Sequence, residues 1–299
     1  MTSCWKPPNN MTRYRLHHAT VYEYQDPVVL GTHFLHLLPR ARPGQTIIES
    51  GLDLQPEPDS RRDEIDHFGN FTTTVALTGA HKQFAVELTA TIEVEQPPPP
   101  APEDSLRWEA IKAHAIQDPD VAEFCLTSKL TRFNNEVADY AAVSFLPGRK
   151  ILTGLSELNT RIYTDMTYKP GITTNASTGI HAYKTRLGVC QDYAHFMLAC
   201  LRSLGLPGRY VSGYLRTLPL PGQVKRRGAD QSHAWVAGWL GPDVGWVDFD
   251  PTNNLIVSNE HVTLAWGRDF SDVSPLRGII LGGGRHIVRV GVDLEPVLT

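Results

Sequence analysis

Apolar and polar positions alternate through the first third of the chain. Tyr14, Leu16, His18 and Thr20 begin the pattern, and Val21 to Tyr24, Ile47 to Ile48, Phe71 to Leu77 and Phe84 to Val94 continue it. In the last run Phe84, Val86, Leu88, Ala90, Ile92 and Val94 fall on every second residue, so one face of that strand is apolar. Pro43-Gly44, Pro56 to Asp59 and Gly69-Asn70 supply turn chemistry between the runs. The spacing predicts an antiparallel β-sandwich of about seven strands over residues 11–96.

The segment Gln96 to Pro102 reads QPPPPAP, and prolines without a donor can enter neither a helix interior nor a central strand. Residues 97–102 are therefore expected to be an extended linker. Past it the period becomes helical. Asp104 to Gln117 and Asp120 to Lys129 are predicted helices, as is Gly148 to Met166, where Ile151, Leu155, Leu158 and Ile162 share a stripe. Val189 to Leu204 carries Ala194, Met197, Leu198, Leu201 and Leu204 on one face, with Gly205-Leu206-Pro207 as its stop. Strand patterns return at Tyr210 to Leu215, His233 to Leu240 and Gly245 to Phe249, and a last alternating run covers His286 to Leu294. Residues 103–299 are expected to form a second domain, which makes the chain α+β. Residues 1–10, with Pro7, Pro8, Asn9 and Asn10, are expected to be a disordered extension.

A length of 299 residues suits two domains, and 41% apolar with 20% charged residues excludes a mainly disordered chain. A net charge of −4 implies no surface for nucleic acid. Met1 to Arg15 lacks the apolar run that a secretory signal needs, and no apolar run is long enough to span a membrane, so neither a leader nor a membrane partner is expected. Four cysteines are too few for a disulfide scaffold and point to a reduced, cytoplasmic setting. No metal is expected: His33 and His36 lack the partners of a zinc site, and no acidic loop has calcium-ligand spacing. No cofactor is expected either, since Gly282-Gly283-Gly284 is not followed by a helix with Lys-Ser/Thr. Lys225-Arg226-Arg227 reads as a solvated loop tip or as a rim favouring acidic substrates.

The cysteines differ in position. Cys4 lies in the expected extension and Cys125 in a predicted helix. Cys190 and Cys200 share a helix but stand about 15 Å apart, too far for a disulfide. Only Cys190 opens a helix, where free amides and the dipole favour a thiolate, the form that attacks an acyl carbon. His233 in Ser232-His-Ala-Trp235 opens one strand, and Asp248 and Asp250 end another, so a nucleophile, a base and an orienting carboxylate are available. Alternation places both carboxylates on one face and cannot choose between them.

Gly188-Val-Cys-Gln-Asp-Tyr-Ala194, Arg209-Tyr-Val-Ser-Gly-Tyr214, His233-Ala-Trp-Val236, Gly245-Trp246 and Asp250-Pro-Thr252 resemble the core of the transglutaminase-like superfamily. His18-Ala-Thr-Val-Tyr22, Leu37-Leu-Pro39, Asp66-His-Phe-Gly-Asn70, Gly267-Arg-Asp269 and Asp272-Val-Ser-Pro275 are similar to a bacterial branch that sets a β domain before this core. The resemblance implies a papain-like domain with Cys190 as nucleophile, His233 as base and Asp250 as orienting carboxylate. It further implies acyl transfer on an amide of a protein or peptide substrate through a thioester, resolved by an amine or by water, the latter as a peptidase or amidase. A binding module with a relic core is the reading from another class. Many relatives carry an acidic residue after His-Ala-Trp-Val, whereas Ala237-Gly238 stands here, which implies altered substrate contacts. Gln191 is given no role, and Asp192 is expected to serve the first turn of its helix.

Overall fold

A computed structural model describes residues 11–217, 228 and 230–297. The expected extension over residues 1–10 and the Lys225 to Arg227 loop lie outside the described residues. The amino-terminal region supplies β1 (Thr12–Leu35), β2 (Gln45–Gln55), β3 (Ser60–Ile65), β4 (Phe71–Leu77) and β5 (His81–Val94). Helices follow: α1 (Trp108–Ala115), α2 (Pro119–Ala122), α3 (Asn135–Ala142), α4 (Ile151–Asp165), α5 (Gly179–Thr185) and α6 (Cys190–Ser203). The short strands β6 (Thr167–Tyr168) and β7 (Leu187–Gly188) pair in parallel just before α6. Then come β8 (Gly208–Leu215), β9 (Gln231–Trp239), β10 (Trp246–Asp250), β11 (Leu255–Ile256), β12 (His261–Gly267), α7 (Phe270–Val273), β13 (Leu276–Gly282) and β14 (His286–Pro296).

The runs at residues 14–24 form one continuous strand with the segment up to Leu35. The first half of β1 pairs with β5 and β14, and its second half pairs with β4 and β13. The β5 register shifts between Glu23 and Val28, around the donorless Pro27. His33 in the second half stacks on Phe84 of β5 at 4.2 Å between ring centroids, so the two halves face each other. The expected sandwich is thus one antiparallel sheet folded over along β1.

That sheet has seven strands, but only five come from residues 11–96. The other two are β13 and β14, expected with the catalytic half and found instead along β1. They are joined through Gly282, Gly283 and Gly284, all at positive φ, a turn that explains the glycine run. The sequence therefore leaves the first region, builds the core, and returns to complete the first sheet.

The helical half departs from expectation in two places. Asp120 to Lys129 forms only α2 and a 3₁₀ turn over Glu123–Cys125. Buried Arg202 donates to the Phe124 carbonyl at 3.2 Å and to Ser128 Oγ at 3.4 Å, so backbone and side-chain acceptors in this stretch serve Arg202. Helices α3 and α5 escaped the period argument because they are short, although Asn134 and Thr178 cap them by accepting from Val137 and His181.

The second sheet has the order β11-β10-β9-β8-β12, and α6 lies across its centre. Residues 191–202 of α6 are all buried. Each large apolar side chain there, such as Phe196 or Leu198, contributes about 1.5–3 kcal/mol, which anchors the helix and fixes where Cys190 stands. Tyr210, Tyr214 and Trp239 are buried in this core, and Trp235 is buried in a second cluster with Val211, Ala237 and Val257.

The outer edge of β12 meets the first sheet. Gln45 accepts from Thr263 N and donates to Thr263 O, both at 2.8 Å. Asn70 does the same for Trp266, at 2.9 and 2.8 Å. Two side-chain amides thereby cover an edge that would otherwise expose free backbone groups. Among the described residues no helix is long and apolar enough to cross a membrane.

Candidate active site

Cys190 is the first residue of α6 and is partly buried, and its N–H has no acceptor within the helix. Two local features hold this turn. Asp192 Oδ2 accepts from Val189 N at 2.8 Å and from Thr173 Oγ1 at 2.7 Å, the first-turn role expected of it. Its burial raises its pKa. Gly188 passes so close to Asp192 that a Cβ there would meet the Asp192 Cβ at 2.5 Å, which accounts for the glycine two residues before the cysteine. Gln191 is buried and donates to Asn175 O at 3.3 Å, bracing the loop ahead of α5.

His233 sits near the start of β9, the central strand of the sheet. Across β8 it faces Gly213, where a Cβ would meet Val262 O at 2.1 Å and the Trp235 ring at 2.4 Å. Glycine is thus required where Trp235 packs beneath the site. Ala237 is buried and a Cβ on Gly238 would meet Leu155 at 2.9 Å. The departure after His-Ala-Trp-Val is therefore a packing feature of the core, not a change in substrate contacts.

His233 Nε2 donates to Asp250 Oδ2 at 2.7 Å, and the Cys190 thiol is near enough to the same imidazole to affect its charge. With Nε2 committed to the carboxylate, Nδ1 is left for the thiol. Burial by itself would lower the His233 pKa, but the bond to Asp250 and the neighbouring Cys190 outweigh it and raise it from 6.5 to about 10. Asp250 is fully buried, which would raise its pKa. The bonds from His233, His261 and Asn253 instead hold it well below the usual carboxylate range. Its Oδ1 accepts from Thr252 N at 2.9 Å and Asn253 N at 3.2 Å, and Asn253 Nδ2 donates to Oδ2 at 2.7 Å.

The structure separates the two carboxylates that alternation left equal. Asp248 Oδ2 accepts from Trp235 Nε1 at 3.1 Å and lies 3.4 Å from Arg42 of the first region. It steadies the indole under the site and ties the two sheets together, whereas Asp250 reaches the imidazole.

Sequence reasoning missed His261 and Asn253. His261 Nε2 lies 3.2 Å from Asp250 Oδ2, on a strand that had not been recognised. Its signal, the alternation of β12, is only seven residues long. His233, Asp250 and His261 offer two imidazole nitrogens and a carboxylate oxygen within 4.8 Å of one another, the donor set of a transition-metal site. In the structure both imidazole nitrogens bond to the one Asp250 oxygen.

The other cysteines differ from Cys190. Burial pushes the Cys125 thiol up to about 11 and the wholly buried Cys200 higher still, which suppresses their thiolates. Of the remaining candidates, His36 bonds to Asp66 at 3.2 Å and His18 lies between Tyr214 and Thr20, so both are used in packing.

A cysteine at a helix start, facing a sheet that presents a His–Asp pair, defines a papain-like core. Residues 147–251 match the family model of the transglutaminase-like superfamily, and residues 14–93 match that of the bacterial transglutaminase-like N-terminal region. An uncharacterised protein of Mycobacterium tuberculosis is 36% identical over 97% of this chain and 95% of its own length. The chain belongs to the transglutaminase-like superfamily, in its bacterial branch with an amino-terminal β region. Over a shorter stretch, 29% of this chain and 13% of the relative, it is 37% identical to a protein-glutamine gamma-glutamyltransferase of Pseudomonas aeruginosa. The crystal structure of a candidate cysteine protease from Cytophaga hutchinsonii superposes with a TM-score of 0.76 over 97% of this chain and 92% of that one. At 20% identity this shows a common fold.

Proposed function

We propose that the protein is a thiol-dependent acyltransferase or hydrolase acting on an amide of a protein or peptide, with Cys190 as nucleophile, His233 as acid and base, and Asp250 as orienting carboxylate. The observation that carries this reading is the buried His233–Asp250 bond of 2.7 Å, with Cys190 near enough to the same imidazole to help raise its pKa. His233 Nδ1 already carries the proton drawn from the Cys190 thiol, and the sulfur attacks the amide carbon. The oxyanion is met by the free N–H of Cys190. Collapse breaks the C–N bond, and Nδ1 returns its proton to the departing amine, leaving a thioester. An amine or a water then gives its proton to Nδ1 and attacks the thioester, and the C–S bond breaks. A binding module with a relic core would not need the His233–Asp250 bond. Among the described residues Cys125, Cys190 and Cys200 are free thiols, which fits a reducing, cytoplasmic setting.

The test incubates the protein with glutamine- and asparagine-containing peptides, with and without a primary amine, and follows their mass. An amine adduct marks transglutamination, conversion to glutamate or aspartate marks amidase action, and cleavage marks a peptidase. All three are expected to vanish in Cys190→Ala. Product formation that survives this substitution sinks the thioester mechanism.

A further inference from the structure

We propose that His261 is a positioning residue for this reaction, acting through Asp250 to set how readily His233 gives up its proton; the proposal rests on the acyl-transfer reading above. His261 is 1% exposed and directs Nε2 to Asp250 Oδ2 at 3.2 Å, the oxygen that also takes the His233 bond. Its Nδ1 is buried without a partner, so among the described residues Asp250 is the polar contact of this ring. The ring stands edge-on to Trp235 at 5.2 Å between centroids. Glu260, the next acid along the chain, faces Arg216 at 3.6 Å. The titratable groups facing His261 are thus Asp250 and, beyond it, His233.

What a second imidazole adds follows from what already holds the carboxylate. Oδ1 is oriented by the Thr252 and Asn253 amides, and Oδ2 also receives the Asn253 side chain. The orientation of Asp250 is therefore set without His261. A further donor on Oδ2 instead draws negative charge away from the bond to His233 and makes the carboxylate a weaker acceptor. His233 must hold a proton while the sulfur attacks and release it when the amine departs. A carboxylate wholly committed to His233 would make the imidazolium too weak an acid for the second step. The strand bearing His261 is pinned at Thr263 and Trp266 by Gln45 and Asn70, so the first sheet helps to set the position of this ring.

The experiment compares the parent protein with His261→Phe, which keeps a ring but no donor, and His261→Gln, which keeps a donor. Nitrogen NMR follows the His233 titration in each, and kcat and KM are measured against pH with a glutamine peptide and a primary amine. In His261→Phe the His233 deprotonation and the alkaline limb of kcat are expected to move up by roughly half to one pH unit. We expect kcat to fall about tenfold, with KM changed by less than about twofold. His261→Gln is expected to restore both. Parent-like titration in His261→Phe, or a His261→Gln as impaired as His261→Phe, overturns the proposal. Should His261→Phe not fold, the parent spectrum decides: a proton on His261 Nε2 supports the proposal, and one on Nδ1 with Nε2 bare overturns it. Activity that survives Cys190→Ala would remove the acyl-transfer reading. The His233 titrations would still report whether His261 acts through Asp250.

Discussion

Two buried polar clusters share the second sheet and lie two residues apart on β10. Around Asp250 are His233, His261 and Asn253, with a partly buried thiol in reach of the imidazole. Around Asp248 are the Trp235 indole and Arg42. Nearby, Arg209 lies 3.9 Å from the centroid of Trp246, and Arg40 lies 3.2 Å from that of Trp266. Both clusters use a carboxylate to satisfy buried donors. The first also has an imidazole beside a partly buried thiol, the nucleophile proposed above, while the second spends its donors on aromatic faces and on the join between the sheets. The comparison teaches that burial and charge do not by themselves make a site; a reacting atom must be within reach.

The comparison breaks most directly at its two carboxylates. Asp250→Asn should lower kcat about 10³–10⁴-fold, because an amide there no longer fixes the imidazole tautomer. Urea denaturation should show it still folded, and a loss of less than about tenfold would remove Asp250 from the proposed trio. Asp248→Asn should do the converse. Removing the charge that faces Arg42, which keeps Gln96 Oε1 at 3.4 Å, is expected to cost about 1–3 kcal/mol of stability in urea, with kcat within about tenfold of the parent. If Asp248→Asn were the more damaging to kcat and Asp250→Asn to stability, the assignment of the two clusters would be reversed.

The comparison is sharpened further by the pH dependence of stability. The His233 pKa is raised from 6.5 to about 10 in the folded protein, so its contribution is fully present below pH 6.5 and is lost as pH rises through about 10. Asp250, held low, contributes above its unfolded value and loses that contribution as pH falls through its folded value. The urea midpoint should therefore decline between pH 6.5 and 10 more steeply in the parent than in His233→Gln. Parallel profiles would show that the imidazole is not held protonated by its neighbours.

The helix that begins at Cys190 was legible because a glycine, a stop signal and an apolar stripe are all local features. So were β5, β8, β9 and β10, whose alternation reports on which face is buried. Neighbours across space were harder to read. The run His286 to Leu294 was recognisable as a strand, yet its partner is residue-for-residue on β1, from Tyr24↔His286 to Leu16↔Leu294. Period two says that a strand has a face and nothing about whose edge it joins. Likewise, the short α3 and α5 carry caps but too few turns for a period.

By itself, then, the sequence determined the local elements, the position of Cys190 at a helix start, the motif that marks His233 and Asp250, and the family these features define. Tertiary structure alone decided that the last two strands close the first sheet, that Asp248 holds Trp235 while Asp250 holds His233, and that His261 joins them. The physical reason is one of range. Propensity, capping and periodicity act within a few residues along the chain. A hydrogen bond to a buried carboxylate depends instead on strand order and register, which are set only when the sheets and α6 pack together.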